Sequence, residues 1–383
     1  MELLVPAGDI NSFYAGLNAG ADAIYLSGKM FGARSYAKNF TDEELKIVLK
    51  LGKIYGVKIY VTMNTLVKEN EVEDFLKEVE FLYNLGVDAI LMQDFGMISL
   101  CLEKYPNLVI HASTQVNSSS YETIKLLYEM GVKRIVLPRE MSIEEIKKID
   151  IPVELEVFIH GALCVSYSGN CLFSSMLGSR SGNRGECVGS CRLPYKLYKD
   201  KTLINEGYLL SMKELNTSFN IKKLPSNVTS LKIEGRMKSP SYVGFITKYY
   251  RKILDEKELS TKDLDDLKSM FYRGFTKGHL FNDKNLINQK SPNHLGSYLG
   301  KVIDVNDERI RIKLDKPLLQ GDGIRFKESN KGMIVNYLYD LKDNLINKAN
   351  PKQIVEVDNK VKLTSLDEVR KTTDKSLEIT DFT

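Results

Sequence analysis

Four cysteines lie close together near the middle of the chain, in a stretch rich in glycine and serine. They are Cys164, Cys171, Cys187 and Cys191, with six, fifteen and three residues between successive members. The amino terminus carries acidic residues and lacks the long apolar core of a signal peptide, so a cytoplasmic protein is expected. Disulfides are rare in that compartment, and clustered thiolates there usually bind metal. The sequence therefore predicts a metal site.

The spacing of the cysteines bears on the kind of metal. Structural zinc sites are usually built from two pairs of ligands, each two to four residues apart. Cys187 and Cys191 have that spacing, whereas Cys164 and Cys171 are too far apart. The irregular pattern favours a [4Fe–4S] cluster over zinc, which stays the alternative. Two other interpretations of these cysteines remain, a redox dithiol pair and inert buried thiols. The fifth cysteine, Cys101, lies in an apolar helical pattern and is expected to pack in the core.

Basic residues and tyrosines are interspersed around the later cysteines. Between positions 180 and 201 there are six basic residues against two acidic ones, and Tyr195 and Tyr198 lie among them. The basic residues are Arg180, Arg184, Arg192, Lys196, Lys199 and Lys201. Such a mixture suits the phosphates and unstacked bases of RNA, and an ordinary solvated loop is the equally weighted alternative.

A repeated pattern of helix, glycine and apolar strand runs through the first 235 residues. Glycines at 20, 56, 86 and 131 each end a helical pattern, and a β-rich apolar run follows each of them. Eight strands are predicted: Leu3–Pro6, Asp22–Leu26, Val57–Thr62, Val87–Met92, Leu108–His111, Arg134–Pro138, Val153–Ile159 and Thr229–Ile233. Eight such units predict an α/β fold, an irregular TIM-type (β/α)8 barrel. An open doubly wound sheet is the alternative, but its glycine fingerprint is absent from the sequence.

The pattern also predicts how the chain is divided. Residues 1–240 are expected to form the barrel, with a cysteine-rich insertion at 160–228, and residues 241–290 a helical extension. Short strands at 291–366 predict a small β-barrel domain, followed by a polar tail at 367–383. No apolar run reaches the length that spans a bilayer, so no membrane partner is expected. The net charge of +4 neither requires nor excludes nucleic acid.

Polar residues follow nearly every predicted strand. The chemistry of TIM barrels takes place at the carboxyl ends of the strands, so we interpret these residues as one site, with a solvated loop face as the alternative. We predict catalytic roles for His111, His160, Glu234 and Arg236. Substrate contacts are predicted for a second set: Asn64, Gln115, Arg139, Lys238, Arg180, Arg184 and Arg192.

Several of these stretches closely resemble the collagenase-like peptidase family. The resemblance extends over residues 1–280, and the C-terminal strands look like the small β-barrel appended in many members. The matching segments are Phe158–Ser174, Gly185–Arg192, Ser230–Pro240, Glu2–Gly8, His111–Gln115 and the strand end at Asn64.

This resemblance implies an oxygen-independent hydroxylase with an iron–sulfur cluster. Some members hydroxylate C5 of a pyrimidine, a wobble uridine of tRNA or a cytidine of 23S ribosomal RNA, with prephenate implicated; others act on a quinone precursor. The four clustered cysteines map onto the cluster ligands. RNA and a small dicarboxylate co-substrate are the implied partners, and Arg139, Arg236 or Lys238 would pair with the dicarboxylate or with a phosphate.

Two other functions stay open. The family name implies a peptidase, yet the sequence contains neither H-E-x-x-H nor G-x-S-x-G. A thiol protease that pairs one cysteine with His160 is the first alternative. A zinc-stabilised RNA-binding module is the second.

Overall fold

The computed structural model describes residues 1–382, which form two compact units. The first contains residues 1–255, 275–292 and 382, and the second contains residues 256–274 and 293–381. In residues 1–382 we find no helix with both the length and the apolar character needed to cross a membrane.

Eight parallel strands form the centre of the first unit. They are β1 (Glu2–Pro6), β2 (Ala23–Leu26), β3 (Lys58–Met63), β4 (Ala89–Met92), β5 (Ile110–Ala112), β6 (Arg134–Val136), β7 (Glu154–Ala162) and β11 (Val228–Ile233). Each strand pairs with the next in this order, and β11 also pairs with β1, which closes the sheet. The predicted TIM-type barrel is therefore confirmed.

Helices between the strands, and one after the last strand, cover the barrel. They are α1 (Ile10–Asn18), α2 (Asp42–Tyr55), α3 (Val72–Leu85), α4 (Phe95–Lys104), α5 (Tyr121–Glu129), α6 (Ile143–Ile146) and α8 (Pro240–Leu254). Local sequence sets their ends. The side chain of Thr41 caps α2 in a reciprocal box with Glu44, and Gly56, at φ +70°, ends the same helix.

The longest connection joins β7 to β11 and contains the cysteines. It includes α7 (Phe173–Gly178), the hairpin β8 (Tyr195–Lys199) and β9 (Thr202–Gly207), and β10 (Glu214–Asn216). We call residues 163–213 the insertion. Strand β10 runs antiparallel to β7, and β12 (Phe275–Thr276) extends the sheet beyond it.

The second unit consists of α9 (Thr261–Met270) and a curled antiparallel sheet of seven strands. In sheet order the strands are β17 (Gly332–Ile334), β16 (Gly323–Phe326), β21 (Glu368–Thr373), β13 (Ser297–Val305), β14 (Arg309–Leu314), β20 (Ile354–Asp358) and β18 (Leu338–Tyr339). A separate pair joins β15 (Leu318–Leu319) to β19 (Lys348–Ala349). Fully buried side chains such as Ile312, Phe326 and Val357 form its core.

Two segments differ from the sequence-based division. The expected tail 367–383 contains β21, which pairs with both β13 and β16 and buries Val369. The strand was not predicted because this segment has one buried apolar residue, Val369, among charged and polar neighbours. The expected helical extension 241–290 is also divided, because α8 packs against α1 and β1 of the barrel, whereas α9 belongs to the second unit.

Four charged side chains pair with one another in the barrel interior. We call Glu2, Arg134, Glu156 and Lys232 the charged layer. Arg134 pairs with Glu2 and lies 3.3 Å from Glu156, whose other oxygen is 2.7 Å from Nζ of Lys232. Tyr60 donates a hydrogen bond of 2.7 Å to Glu2. Burial alone would raise the pKa of Glu2, but the hydrogen bond and charge of Arg134 lower it, so Glu2 stays ionised and paired with Arg134.

Candidate functional site

A cavity of ≈ 440 Å³ opens at the carboxyl ends of the barrel strands. Its wall contains strand-end residues, part of the loop after β2, and much of the insertion. All four clustered cysteines border it, together with Asn64, Gln115, Arg139, Glu234, Arg236 and Lys238. A cavity of this size accommodates one small molecule.

The four clustered cysteines are free thiols. Cys164 and Cys187 are exposed to the cavity, and Cys171 and Cys191 are partly buried. Burial is the main cause that raises the pKa of Cys164 and of Cys191, and the other thiols of the cluster add to that rise. Thiols that influence one another in this way lie near each other. As thiolates they would repel each other unless a cation bound between them.

The donor set bears on the metal that could bind. Throughout residues 1–382 there is no group of three or more His, Cys, Asp or Glu side chains placed to hold a single metal ion. Four thiols that border one cavity are a donor set suited to an iron–sulfur cluster and equally to zinc.

Glycines bring the insertion into direct contact with the strand ends. Gly169, at φ +78°, packs so closely that an added Cβ would lie 2.0 Å from the carbonyl oxygen of Gln115. Gly185, at φ +85°, packs against the loop after β2, where the hydroxyl of Ser35 donates to its carbonyl oxygen at 2.8 Å. Only glycine allows backbones to approach this closely. The cysteine-bearing segment is therefore held against the barrel on two sides.

Arg184 anchors the insertion as well. Its guanidinium donates to both carboxylate oxygens of Glu71, at 2.7 and 3.0 Å, and to the carbonyl oxygen of Leu66 at 2.7 Å. These bonds tie the insertion to the loop after β3, and a contact of Arg184 with substrate stays a prediction. The side chain of Arg180 is exposed, and its contact with substrate stays a prediction.

Arg192 has a similar anchoring position at the other end of the insertion. It donates to the carbonyl oxygens of Leu163, at 3.1 Å, and of Met212, and to the hydroxyl of Ser211 at 3.0 Å. These bonds join the two ends of the insertion. Arg192 also borders the cavity, and its contact with substrate stays a prediction.

Positive charge exceeds negative charge around the cavity. Among the described residues that line it, one is a carboxylate, Glu234, and six are cations: Arg34, Arg139, Arg192, Lys232, Arg236 and Lys238. In a partly enclosed space such an excess attracts anions. It would also offset the negative charge of four thiolates.

Glu234 lies among these cations. Its Oε1 is 3.5 Å from Nη2 of Arg34. Burial would raise the pKa of Glu234, but Arg34, Arg139 and the neighbouring cations together lower it below the usual range. Glu234 is therefore ionised and can accept hydrogen bonds or orient the guanidinium groups around it.

Arg139 and Arg236 carry buried guanidinium groups. Arg139 lies over the ring of Phe158 at 3.6 Å, and its Nε has no hydrogen-bond acceptor among residues 1–382. Arg236 donates to the hydroxyl of Thr62 at 2.9 Å, and burial, with the charge of Arg34, lowers the pKa of Arg236 to about 10. Guanidinium groups have five donors, and burial without acceptors is unfavourable. Both side chains are therefore suited to an anionic ligand.

Amide side chains line another part of the wall. Asn64 accepts from the backbone of Ala33 at 3.1 Å and donates to Ser113 at 3.1 Å. Gln115 donates to the carbonyl oxygen of Asn64 at 2.6 Å and to Gln93 at 3.0 Å. These bonds fix the orientation of both amides at the cavity surface.

The two histidines predicted to be catalytic lie elsewhere. His160 is 1% exposed and its Nδ1 is 3.2 Å from the hydroxyl of Tyr250 on α8; burial lowers its pKa to about 3. His111 packs edge-on against Tyr60 at 4.8 Å, and burial, with the charge of Arg134, lowers its pKa well below the usual value. Neither borders the cavity. We correct both to neutral packing residues.

The register of β7 explains the position of His160. Phe158 pairs with Lys232 of β11, but the next β11 residue pairs with His160, so β7 has one extra residue there. Such a bulge breaks the alternation of inward and outward side chains. His160 therefore faces the helix layer, as its ring contacts with Tyr242 and Tyr250 show.

Sequence reasoning missed two cations of the cavity. Arg34 lies in the irregular loop after β2, where no pattern indicated a site. Lys232 was included in an apolar strand. The alternation of polar residues at positions 230, 232, 234 and 236 could have identified Lys232 as an inward-facing side chain.

The sequence model of Peptidase family U32 matches residues 8–290. The chain belongs to peptidase family U32. It is 37% identical to a 23S rRNA 5-hydroxycytidine synthase of Escherichia coli over 343 residues, which cover 85% of this chain and 52% of that protein. It is also 37% identical to a tRNA hydroxylation protein of Bacillus subtilis over 265 residues, 66% of this chain and 63% of that one.

Other U32 proteins carry different names. An uncharacterized protease of Methanocaldococcus jannaschii is 37% identical over 305 residues, which cover 74% of each chain. Among solved structures, a U32 peptidase covers 43% of this chain at 16% identity, with a TM-score of 0.37. The chain spans 52% and 63% of the length of the rRNA and tRNA relatives, respectively.

Proposed function

We propose that this U32 protein hydroxylates a pyrimidine base of RNA at C5 without molecular oxygen. In this proposal Cys164, Cys171, Cys187 and Cys191 bind a [4Fe–4S] cluster. One observation carries it: four free thiols and an excess of cations border the same cavity at the catalytic end of a TIM-type barrel. The names of the two relatives that act on 23S rRNA and tRNA support an RNA substrate.

The reaction needs a co-substrate. Hydroxylation replaces a C–H bond with C–OH and removes two electrons from the base, so without molecular oxygen both the oxygen atom and the electron acceptor must come from another molecule. A small dicarboxylate such as prephenate suits the cavity, because the buried guanidinium groups of Arg139 and Arg236 can each bind a carboxylate. A bound iron–sulfur cluster would supply electron transfer.

The residues of the chain would hold and orient the reactants. Glu234, ionised among cations, fixes the guanidinium groups of the cavity, and Asn64 and Gln115 present oriented amides. Tyr167 borders the cavity and is 65% exposed, so its ring is available to stack on an unpaired base. Exposed Arg180 and the lysines of the β8–β9 hairpin suit the RNA phosphates.

The structure does not favour the thiol-protease alternative. A cysteine nucleophile needs a histidine within hydrogen-bond reach. His160, the proposed partner, borders Tyr250 instead of the cysteine cavity. Gelatin degradation that persists in a Cys164→Ser, Cys187→Ser protein would come from a contaminant or another site.

The decisive test is a survey of modified nucleosides by mass spectrometry. RNA from a strain that lacks the gene should lose one hydroxylated pyrimidine, and wild-type protein should restore it, whereas the Cys164→Ser, Cys187→Ser protein should not. An unchanged nucleoside profile in the deletion strain would refute RNA hydroxylation. Anaerobically purified protein should contain about four irons. Colourless protein with one bound zinc would refute the cluster.

A further inference from the structure

Lys232 places an amine at the inner end of the cavity. It is 4% exposed and borders the cavity from β11. Its Nζ lies 4.4 Å from the ring centre of Tyr25 and 5.6 Å from that of Phe158, and both rings also border the cavity. A small molecule bound in the cavity can therefore reach an amine that is shielded from bulk water.

Within residues 1–382 one carboxylate pairs with this amine, and that carboxylate is shared. Glu156 lies 2.7 Å from Nζ of Lys232, but its other oxygen is 3.3 Å from Arg134 and accepts from Ser230 at 3.2 Å. Burial lowers the pKa of Lys232; Glu156 opposes this effect, and Arg139 and Arg134 add to it. A desolvated lysine with cationic neighbours is readily deprotonated and is then a nucleophile.

A second buried lysine, Lys371, provides a comparison, because its amine is paired with carboxylates. Lys371, 5% exposed, lies 2.7 Å from Asp322 and 3.0 Å from Asp374. It has two carboxylates and does not border the cavity of the first unit. Lys232 has one shared carboxylate and does border that cavity. Lys232 therefore has fewer carboxylate partners than Lys371 and, unlike Lys371, can meet a ligand of the cavity.

We propose that Lys232 forms a Schiff base with the carbonyl group of a 2-oxo carboxylic acid bound in the cavity. The amine nitrogen bonds to the carbonyl carbon, the C=O bond breaks, and the oxygen leaves as water with two of the three ammonium protons. Glu156 accepts a proton from the ammonium group and returns it to the departing oxygen. Condensation needs no oxidant or reductant. The carboxylate of the acid would pair with Arg139 or Arg236.

This inference adds a covalent step at Lys232 to the proposed hydroxylation and rests on that function for the role of the adduct. Its test does not require RNA turnover. Purified full-length protein is incubated with pyruvate or with phenylpyruvate and sodium cyanoborohydride, which reduces the imine to a stable secondary amine. Peptide mass spectrometry should find saturable labelling at Lys232, with Lys371 and Lys238 unlabelled. Labelling absent from Lys232, or spread evenly over exposed lysines, would overturn the proposal.

A matched variant adds a control. Lys232→Arg keeps a positive charge beside Glu156, so the charged layer should persist and circular dichroism should match the wild type. The variant should form no adduct, and Lys371→Arg should label at Lys232 as the wild type does. Should Lys232→Arg fail to fold, the peptide map of the wild-type protein decides alone. Because trapping is independent of RNA, its failure leaves the nucleoside survey to judge hydroxylation separately.

Discussion

The two ends of the barrel interior differ in how completely their buried charges are paired. In the charged layer at the amino-terminal end, Arg134 and Lys232 are each in contact with a buried carboxylate, and Glu156 is fully buried. At the carboxyl end, Lys232 borders the cavity together with five further cations and one carboxylate among the described residues, and Nε of Arg139 has no acceptor within residues 1–382. One strand, β11, supplies residues to both ends.

This difference separates stability from function. In a matched buried network the charges compensate one another, and removal of one partner leaves an uncompensated charge that lowers stability. An unmatched set of cations costs folding energy and is retained where a ligand supplies the missing charge. Substitutions in the charged layer should therefore lower stability, and substitutions around the cavity should lower binding or activity with little loss of stability.

The largest effect is expected from the thiols. Cys164→Ser with Cys187→Ser should reduce bound iron from about four per chain to less than one and abolish RNA hydroxylation, because a cluster requires its thiolate ligands. Iron analysis and the nucleoside survey measure these effects. Cys101→Ala is the matched control: burial raises the pKa of Cys101 to about 12, it lies in the core, and the variant should keep its iron. A double variant that kept full iron content would contradict the ligand assignment.

Next in size is the loss of a charge from the charged layer. Glu156→Gln should lower the free energy of unfolding by about 3–5 kcal/mol, because Lys232 loses its buried carboxylate and Arg134 loses one of two. Urea denaturation measures the change. Glu154→Gln is the control: Glu154 lies 2.6 Å from Arg134 but is 50% exposed, so its loss should cost less than about 1 kcal/mol. If both variants lowered the unfolding free energy equally, Glu156 would not be the buried carboxylate that compensates Arg134 and Lys232.

The pH dependence of stability tests the position of His160. Burial lowers its folded pKa to about 3, whereas the unfolded value is the ordinary 6.5. The unfolded chain therefore binds the proton first, and the stability is present above pH 6.5 and is lost as the pH falls towards 3. In His160→Gln the slope of unfolding free energy against pH between 6 and 4 should decrease by about 1.4 kcal/mol per pH unit. An unchanged slope would place His160 in contact with solvent.

The barrel and the location of its site could be predicted from sequence. Glycine after each helix pattern and an apolar run after each glycine indicated the parallel strands, and the structure confirms the barrel. Because the carboxyl ends of parallel strands meet, strand-end residues such as Asn64, Glu234 and Arg236 come together at one cavity.

The positions and contacts of individual side chains were harder to predict from the sequence, for physical reasons. One extra residue in β7 turns His160 away from the cavity, and sequence alternation does not show a bulge. The partners of Arg184, Glu71 and the carbonyl group of Leu66, lie more than a hundred positions earlier in the chain. Such pairings depend on the folded loops.

A smaller effect is expected at the cavity wall. Arg139→Met should weaken the binding of prephenate by about 10–100-fold, because a hydrogen bond to a charged group contributes about 1.5–3 kcal/mol. Calorimetric titration measures the dissociation constant. The unfolding free energy should stay the same or rise, since a buried charge without a full set of acceptors is removed. Arg180→Met, at an exposed site, is the control and should bind prephenate as the wild type does.

The smallest effect concerns the contact between the insertion and the barrel. In Gly169→Ala the new Cβ would meet the carbonyl oxygen of Gln115, and the φ of +78° disfavours alanine, so the segment must move outward. We expect a local cost of about 1–2 kcal/mol, seen as faster hydrogen exchange in residues 163–192. Gly178→Ala, where nothing lies within 4 Å of the added Cβ, should exchange like the wild type. Equal exchange in both variants would mean that the insertion is not held by this contact, and the cysteines would then need the bound metal to stay at the cavity.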